Sequence, residues 1–474
     1  MKKIDNIFSG VLDLSKDNQL DAAFCVNDTF VTVIPLTDKC RKKIFHSDDF
    51  DNQKEKVSWI YGIAEDSCRV AFLKNKSISP QFSLPVDIGT GSFSAPIILK
   101  SDGPYDVDIS AFDIIEFRGG ILNLLHMTGK AIDERYSENQ LIFQNKNTYT
   151  HSFPTIIDDI KLELEYSISL SGIYTETGQV PNLKDGCQSV FRFKFDSPQP
   201  LEDFKKYYIY ALNLFQFCAG CMNIKFDVSL YKEISDNKGK RHIAILSKIY
   251  DGFDDYAYDR LKPVNVIRFD FIKPNISNLL KLLNESKTEP YLLFLPKSNK
   301  NYNHILYTDI NDLCVALERE YAFSHDFNKQ DREDAKNLSV ELLQVVQQSK
   351  YPDHIKSKAE NIICGNLKNY NLSLKEKIYF LCDIFFDAMK SITEPETHVQ
   401  YGLVKEYTIK EFKEKIGEFV KIRNRASHYG IAWNDGVEIY YHLCLLVYFS
   451  VLKRAGYTID ESRCMLSYLF SRRF

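Results

Sequence analysis

The feature that most constrains this chain is a change of texture near Thr308. Beyond it, helix starts are written as capping boxes, in which a polar side chain and a glutamate three residues later satisfy the free amides of a first turn. Ser373-Leu374-Lys375-Glu376, Thr408-Ile409-Lys410-Glu411 and Thr458-Ile459-Asp460-Glu461 fit this rule, and Asp435-Gly436-Val437-Glu438 is a variant of it. Gly430 and Gly456 follow helical runs as stop signals. The pattern predicts six or seven helices between 309 and 470, packed as a bundle.

Before Thr308 the texture is that of strands. Runs at 23–35, 70–73, 81–86, 114–125, 160–170 and 190–195 alternate or are rich in β-branched and aromatic residues. Lys161-Leu162-Glu163-Leu164-Glu165-Tyr166 alternates cleanly, which predicts a strand with one wet face. A helix is predicted over 201–222, where Phe204, Tyr208, Leu212 and Phe215 recur at helical spacing. Strands return at 224–230, 242–249 and 264–271. A short helix at 276–283 and a strand at 291–295 follow, and polar residues 297–303 read as a linker. The expected fold is multidomain α+β. A β-rich region over 1–300, a sandwich or curled sheet with an intervening helix and a sub-boundary near 200, precedes an all-α bundle over 301–474.

Composition excludes some functions. At 474 residues the chain is too long for one ordinary core, and 44% hydrophobic with 26% charged residues suits a globular protein rather than a disordered one. A net charge of −4 argues against coating nucleic acid non-specifically, so a nucleic-acid site must be a local patch. The longest apolar run, 443–452, is interrupted by Ser450 and is about half the length that spans a bilayer. Met1-Lys2-Lys3 is followed by Asp5 and no apolar segment, so no secretory leader is expected. The expectation is a cytoplasmic protein with no membrane partner, its eleven scattered cysteines reduced.

Chemistry concentrates at Arg423-Asn424-Arg425-Ala426-Ser427-His428. Phe412, Ile416, Phe419 and Val420 form an apolar stripe on the helix from Ile409, and Arg423 takes the next position on that stripe. A charge there snorkels outward or has a partner in a cleft. His428 falls where the helix should end before Gly430, and a helix C-terminus favours the protonated imidazole. An arginine can hold a phosphate by two parallel hydrogen bonds, and an imidazole moves protons near neutral pH. The spacing recurs at Arg41–His46, near a β-rich segment, and at Arg319–His325, within one helix and on different faces. The bland alternative for the third match is a surface cationic cluster with a capping histidine.

Other motifs are weaker. Cys218-Ala219-Gly220-Cys221 lacks a second ligand pair; Cys187 and His242 would complete a zinc set only by coincidence of the fold, so no metal or cofactor is expected. Gly89-Thr90-Gly91 and Gly119-Gly120 lead into no helix with a lysine, which argues against a nucleotide loop. Asp251, Asp254, Asp255 and Asp259 read as a solvated acidic loop.

The C-terminal region resembles the HEPN superfamily, and within it the ApeA-like HEPN domains of bacterial anti-phage defence. Their signature is an arginine, a polar residue that is often asparagine, three or four further residues and a histidine, which Arg423, Asn424 and His428 match. An acidic residue on an early helix is typical; Glu318 is the best match and Glu320 its rival. The β-rich front half is similar in texture to the N-terminal domain of ApeA proteins. The resemblance implies a metal-independent endoribonuclease in abortive infection, cleaving RNA, with the transfer-RNA anticodon loop as substrate. The 2′-hydroxyl would attack the adjacent phosphorus, leaving a 2′,3′-cyclic phosphate and a 5′-hydroxyl. Arg423 would stabilise the transition-state charge, His428 would act as acid or base, Asn424 would orient the phosphate or the histidine, and Glu318 would hold Arg423. Arg425 and Tyr429 would contact RNA, and Trp433 could stack on a base. One motif supplies one histidine and one arginine, so a homodimer or higher oligomer is expected through this domain. A phage protein is the expected trigger, received by the front region. The alternatives are a catalytically silent HEPN dimerisation scaffold and a ligand-sensing sandwich with a helical oligomerisation domain.

Overall fold

The computed structural model describes residues 7–13, 21–27, 30–38, 40, 58–74, 79–81, 90–101, 108–128, 132–135, 140–143, 150–170, 187–236, 239–251, 265–285, 292–297, 305–324, 329–365, 373–390, 407–429 and 437–470. The chain divides into two compact units, Met1–Asp270 and Phe271–Phe474. It is an α+β protein, with a large antiparallel sheet in the first unit and helices in the second.

The first unit begins with β1 (Ile7–Asp13), β2 (Ala22–Asn27), β3 (Phe30–Pro35), β4 (Ser58–Ala64) and β5 (Arg69–Lys74). Next come β6 (Ser79–Gln81), β7 (Thr90–Ser94), β8 (Ile97–Lys100) and β9 (Ala111–Arg118), then a short helix α1 (Leu122–Leu125). The strands β10 (Ile132–Arg135), β11 (Gln140–Phe143), β12 (His151–Ile157), β13 (Ile160–Leu170) and β14 (Cys187–Pro200) precede the helix α2 (Phe204–Ala219). β15 (Asp227–Asp236) and β16 (Gly239–Asp251) complete it. Fourteen of the described strands form one sheet, ordered β12-β13-β14-β9-β15-β16-β8-β5-β4-β1-β2-β3-β7-β6, and β10 pairs with β11 separately.

One core lies at the β1–β5 end, where Leu12, Phe24, Val33, Phe72 and Phe93 are buried together. The close β1–β4 approach needs a residue without a side chain at position 10, because a Cβ on Gly10 would come within 2.1 Å of the Ile63 carbonyl oxygen. A second core is aromatic. The α2 residues Tyr207, Tyr208 and Phe215 meet Phe117, Phe191 and Phe193 from the sheet and Phe226 just before β15, with Phe215 centred 5.3 Å from Phe191 and 5.6 Å from Phe117. Such edge-to-face pairs add to the area they bury.

The second unit holds α4 (Ile276–Leu282), α5 (Tyr307–Ser324), α6 (Lys329–Gln348), α7 (Asp353–Ile363), α8 (Leu374–Lys390), α9 (Ile409–Tyr429), α10 (Val437–Arg454) and α11 (Ile459–Phe470). From 307 to 470 this makes seven described helices, as the capping pattern predicts. α10 is buried on every face from Tyr440 to Leu452, which marks it as the central helix. Three capping boxes form as read: the Ser373, Thr408 and Thr458 amides donate to Glu376, Glu411 and Glu461 at 2.8, 2.7 and 2.8 Å. The Asp435 variant and Gly430 lie outside the described residues.

Several expectations are corrected. The strand expected over 264–271 is instead irregular and then helical, as α3 (Phe269–Ile272). Of the strand expected over 291–295, residues 292–295 form a turn whose Leu292, Phe294 and Leu295 are buried, with the Phe294 carbonyl accepting the Tyr440 hydroxyl at 2.7 Å. Short apolar runs do not distinguish strand from buried turn by periodicity. The run 114–125 stops pairing at Arg118, since Gly119 and Gly120 adopt φ of +65° and +54° and lead into α1. The two compact units divide after Asp270. Residues after it are tied to the bundle: the Tyr457 hydroxyl donates to the Ile272 carbonyl at 2.6 Å and the Asn275 amide to the Gly456 carbonyl at 3.1 Å. Most of the expected linker, 297–303, lies outside the described residues.

Candidate functional site

The Arg423 stripe is built as the spacing predicts. Phe412, Ile416 and Phe419 on α9 are buried, Val420 is half-buried, and Arg423 follows half-buried on the same face. α9 is fastened to α8 by the Lys413–Asp383 ion pair and by the Tyr379 hydroxyl, which donates to the Lys413 carbonyl at 2.7 Å. The guanidinium donates from Nη1 to Asn424 Oδ1 at 3.2 Å, while its buried Nε has no hydrogen-bond partner. A buried donor without an acceptor is a cost unless another group supplies one.

Arg423 faces α5. Burial pushes the Cys314 thiol up to about 12; the Arg423 charge opposes that shift, and the Glu318 charge adds to it. Arg423 and Glu318 therefore act on one thiol. Among the described residues, however, Glu318 forms no ion pair with Arg423. Its carboxylate takes the Lys377 ammonium of α8 at 2.6 Å and is 41% exposed. The rival Glu320 is fully buried and committed elsewhere, accepting Arg454 Nη2 at 2.8 Å, Arg454 Nε at 3.1 Å and the Ser450 hydroxyl at 2.6 Å. Ser450, the interruption in the apolar run, thus joins Arg454 as a polar contact of the central helix with α5.

The backbone of α9 is helical through Tyr429, and Gly430 lies outside the described residues. Five residues of regular helix separate positions 423 and 428 by ~140° around the axis and ~7.5 Å along it. Position 428 is therefore not brought beside position 423 within one copy, the same objection that sets aside Arg319 and its histidine. The side chains of Arg425, His428, Tyr429 and Trp433 lie outside the described residues. In sequence the end of α9 is cationic, with Lys421, Arg423 and Arg425 and no acidic residue between Glu418 and Asp435. That sign is favoured at a helix C-terminus.

Other sequence candidates resolve into structure. Cys218 and Cys221 are both buried, burial pushes the Cys218 thiol far up, and the Cys221 thiol lies 3.8 Å from the Asn223 carbonyl. Cys187 lies 3.7 Å from the Thr128 carbonyl, and His242 lies beside Glu233 at 3.9 Å. Among the described residues, no group of three or more metal-ligating side chains is assembled, and no helix is long and apolar enough to cross a membrane. Residues 41–46 and the acidic stretch after Asp251 lie outside the described residues.

Sequence reasoning missed a charged cleft in the first unit. The expected wet face of β13 is wet at Lys161, but Glu165 is buried. Glu165 pairs in register with Arg192 of β14, and Arg192 with Glu116 of β9. Arg192 donates to Glu116 at 2.7 Å and also to Glu165, Lys194 donates to Glu165, and Arg118 to Glu116. Burial pushes the Glu165 carboxyl up, but the Lys194 and Arg192 hydrogen bonds outweigh it and hold the group below the usual range. The signal was present as opposite charges at two-residue spacing, Glu163/Glu165 against Arg192/Lys194, but it needed the pairing of β13 with β14.

No protein-family model, curated protein or solved structure matches this chain.

Proposed function

We propose that the second unit is a HEPN-type, metal-independent endoribonuclease of an ApeA-like anti-phage defence protein, acting in the cytoplasm on RNA, with transfer RNA as the leading substrate. The observation that carries this reading is Arg423, a half-buried guanidinium at a cationic helix end with its Nε lacking an acceptor and Asn424 beside it. Phosphoryl oxygens supply such acceptors, and a fixed guanidinium stabilises the charge that builds on them during attack by the 2′-hydroxyl. His428 would move the proton. Because α9 sets positions 423 and 428 on different sides, the reading requires two copies, the Arg423 side of one meeting the His428 side of the other. The first unit would receive the phage protein that releases activity.

The test is growth after induction of wild type, Arg423→Ala and His428→Ala, with and without phage, with RNA ends mapped from the same cultures. New 5′-hydroxyl ends during infection, lost by about 10²–10³-fold in both variants at equal protein level, are expected. Protection by both variants without new ends would overturn the reading.

A second reading, a catalytically silent dimerisation scaffold, is favoured by one observation. α7 has no buried residue, and Val345, Tyr351 and Ile362 around the α6–α7 hairpin are 65%, 68% and 55% exposed. An oligomer that persists in Arg423→Ala and His428→Ala while neither affects phage resistance would select it.

A further inference from the structure

The charged cleft of the first unit has a volume of about 620 Å³, within the range of about 300–1,000 Å³ typical of small-molecule sites. It is walled by β9, β14, β15 and β16 and lined by charged, aromatic and aliphatic side chains together. The charges divide into two groups that behave differently.

The cations of the wall are engaged. Arg192 bridges Glu116 and Glu165, Lys194 holds Glu165, and Lys232 Nζ binds Asp108 at 2.8 Å. Glu116 is 3% exposed and also accepts the Tyr231 hydroxyl at 3.1 Å. An anionic ligand would have to displace these carboxylates and leave them buried without cations, which is strongly unfavourable. The wall is therefore satisfied before any ligand arrives, and binding needs no rearrangement of it.

Two other carboxylates of the lining, Asp113 and Asp196, are not engaged in that way. Asp113 accepts the Glu233 amide at 2.6 Å, and Asp196 is exposed. Among the described residues neither forms an ion pair. Ile114, Pro198 and Tyr231 share the lining, while the Phe195 ring is turned into the core, 4.6 Å from Tyr207. Apolar lining together with carboxylates that form no ion pair among the described residues suits a cation on an aliphatic stem, whose methylenes cover the apolar residues while its head meets the acids.

We infer that this cleft binds an organic cation, an ammonium or guanidinium carried on an aliphatic stem, with Asp113 and Asp196 meeting the charged head and Ile114, Pro198 and Tyr231 covering the stem. The shared chemistry comes from two sources, a free diamine or guanidino-amine and a lysine or arginine side chain of a partner protein. The site is separate from Arg423, and its existence does not depend on ribonuclease activity.

The test is calorimetric titration of the intact chain with putrescine, with agmatine, with a short peptide containing one arginine, and with inorganic phosphate as the opposite charge. The expected result is saturable one-to-one binding of at least one cation and none of phosphate. Affinity falls tenfold or more in Asp113→Asn/Asp196→Asn and is unchanged in Asp460→Asn on α11. Binding of the free amines assigns a small-molecule ligand, and binding of the peptide alone assigns a partner protein. Absence of cation binding, binding that survives the double substitution, or preferential phosphate binding overturns the inference. If the melting temperature shows that the double variant is unfolded, Asp196→Asn alone decides, because Asp196 is exposed and supports no packing.

Discussion

Arg192 in the sheet and Arg423 in the helical unit are both half-buried guanidinium groups, and they differ in what surrounds them. Arg192 sits between two buried carboxylates and is held by both. Arg423 has one asparagine oxygen at Nη1 and nothing at Nε. Burial and charge alone therefore do not separate a structural arginine from a candidate functional one. The number of donors left without an acceptor does, because a saturated guanidinium has nothing further to offer a phosphate.

The largest effect that tests this contrast is on stability. Arg192→Met leaves Glu116 and Glu165 buried without that partner and should destabilise the first unit by about 3–5 kcal/mol, measured by urea unfolding. Arg423→Met should change stability of the second unit by less than about 1 kcal/mol, because it removes no ion pair formed among the described residues. Equal losses in the two variants would end the distinction.

A second test of similar size lies within one helix. Glu320→Ala strips Arg454 and Ser450 of their shared acceptor and should cost about 3–5 kcal/mol. Glu318→Ala, two residues earlier and largely solvent-screened, should cost less than about 1 kcal/mol. A reversal of that order would show that Glu318 is the structural member of the pair.

Smaller effects probe the helix ends. Gly456 has a φ of +98° after α10, with its amide donating to the Lys453 carbonyl at 3.0 Å. Gly456→Ala should cost about 1 kcal/mol, read from the thermal midpoint, and no loss would mean that the backbone there relaxes freely.

The smallest effect is a pH dependence. Hydrogen bonds from Ser373, Thr408 and Thr458 hold the Glu376, Glu411 and Glu461 carboxyls below the usual range. A lowered folded value means that the capping contribution is fully present above the unfolded pKa, about 4.3, and is lost as pH falls through the folded value. Glu320 works in the opposite sense, since burial outweighs Arg454 and Ser450 and raises its carboxyl. Acid unfolding of a Glu376→Gln/Glu411→Gln/Glu461→Gln variant should therefore be less steep between pH 5 and 3 than in wild type; identical profiles would show that the caps do not titrate with folding.

Much of the architecture was legible where the deciding contacts are local. A capping box closes within four residues, so Ser373, Thr408 and Thr458 announce their helices without help from the rest of the chain. The alternation from 160 to 170 likewise gives the bounds of β13. The helix at 269–272 and the turn at 292–295 were misread as strands because apolar runs of that length carry no usable period. At the candidate site, the stripe leading to Arg423 was legible from helical spacing. The partners of Glu318 and Glu320 were not, because Lys377, Ser450 and Arg454 are distant in sequence.

The sequence by itself determined the two textures, the helix starts, the strand character of the front half and the cationic end of α9. These depend on hydrogen bonds and periodicities that span a few residues. Tertiary structure decided the order of the sheet strands, the unit boundary at Asp270, and the burial of Glu165 on a face that alternation marks as wet. It also decided which arginines are saturated. Each of these depends on elements far apart in the chain meeting at hydrogen-bond distance, and desolvation then makes an unmatched charge too costly to leave in place.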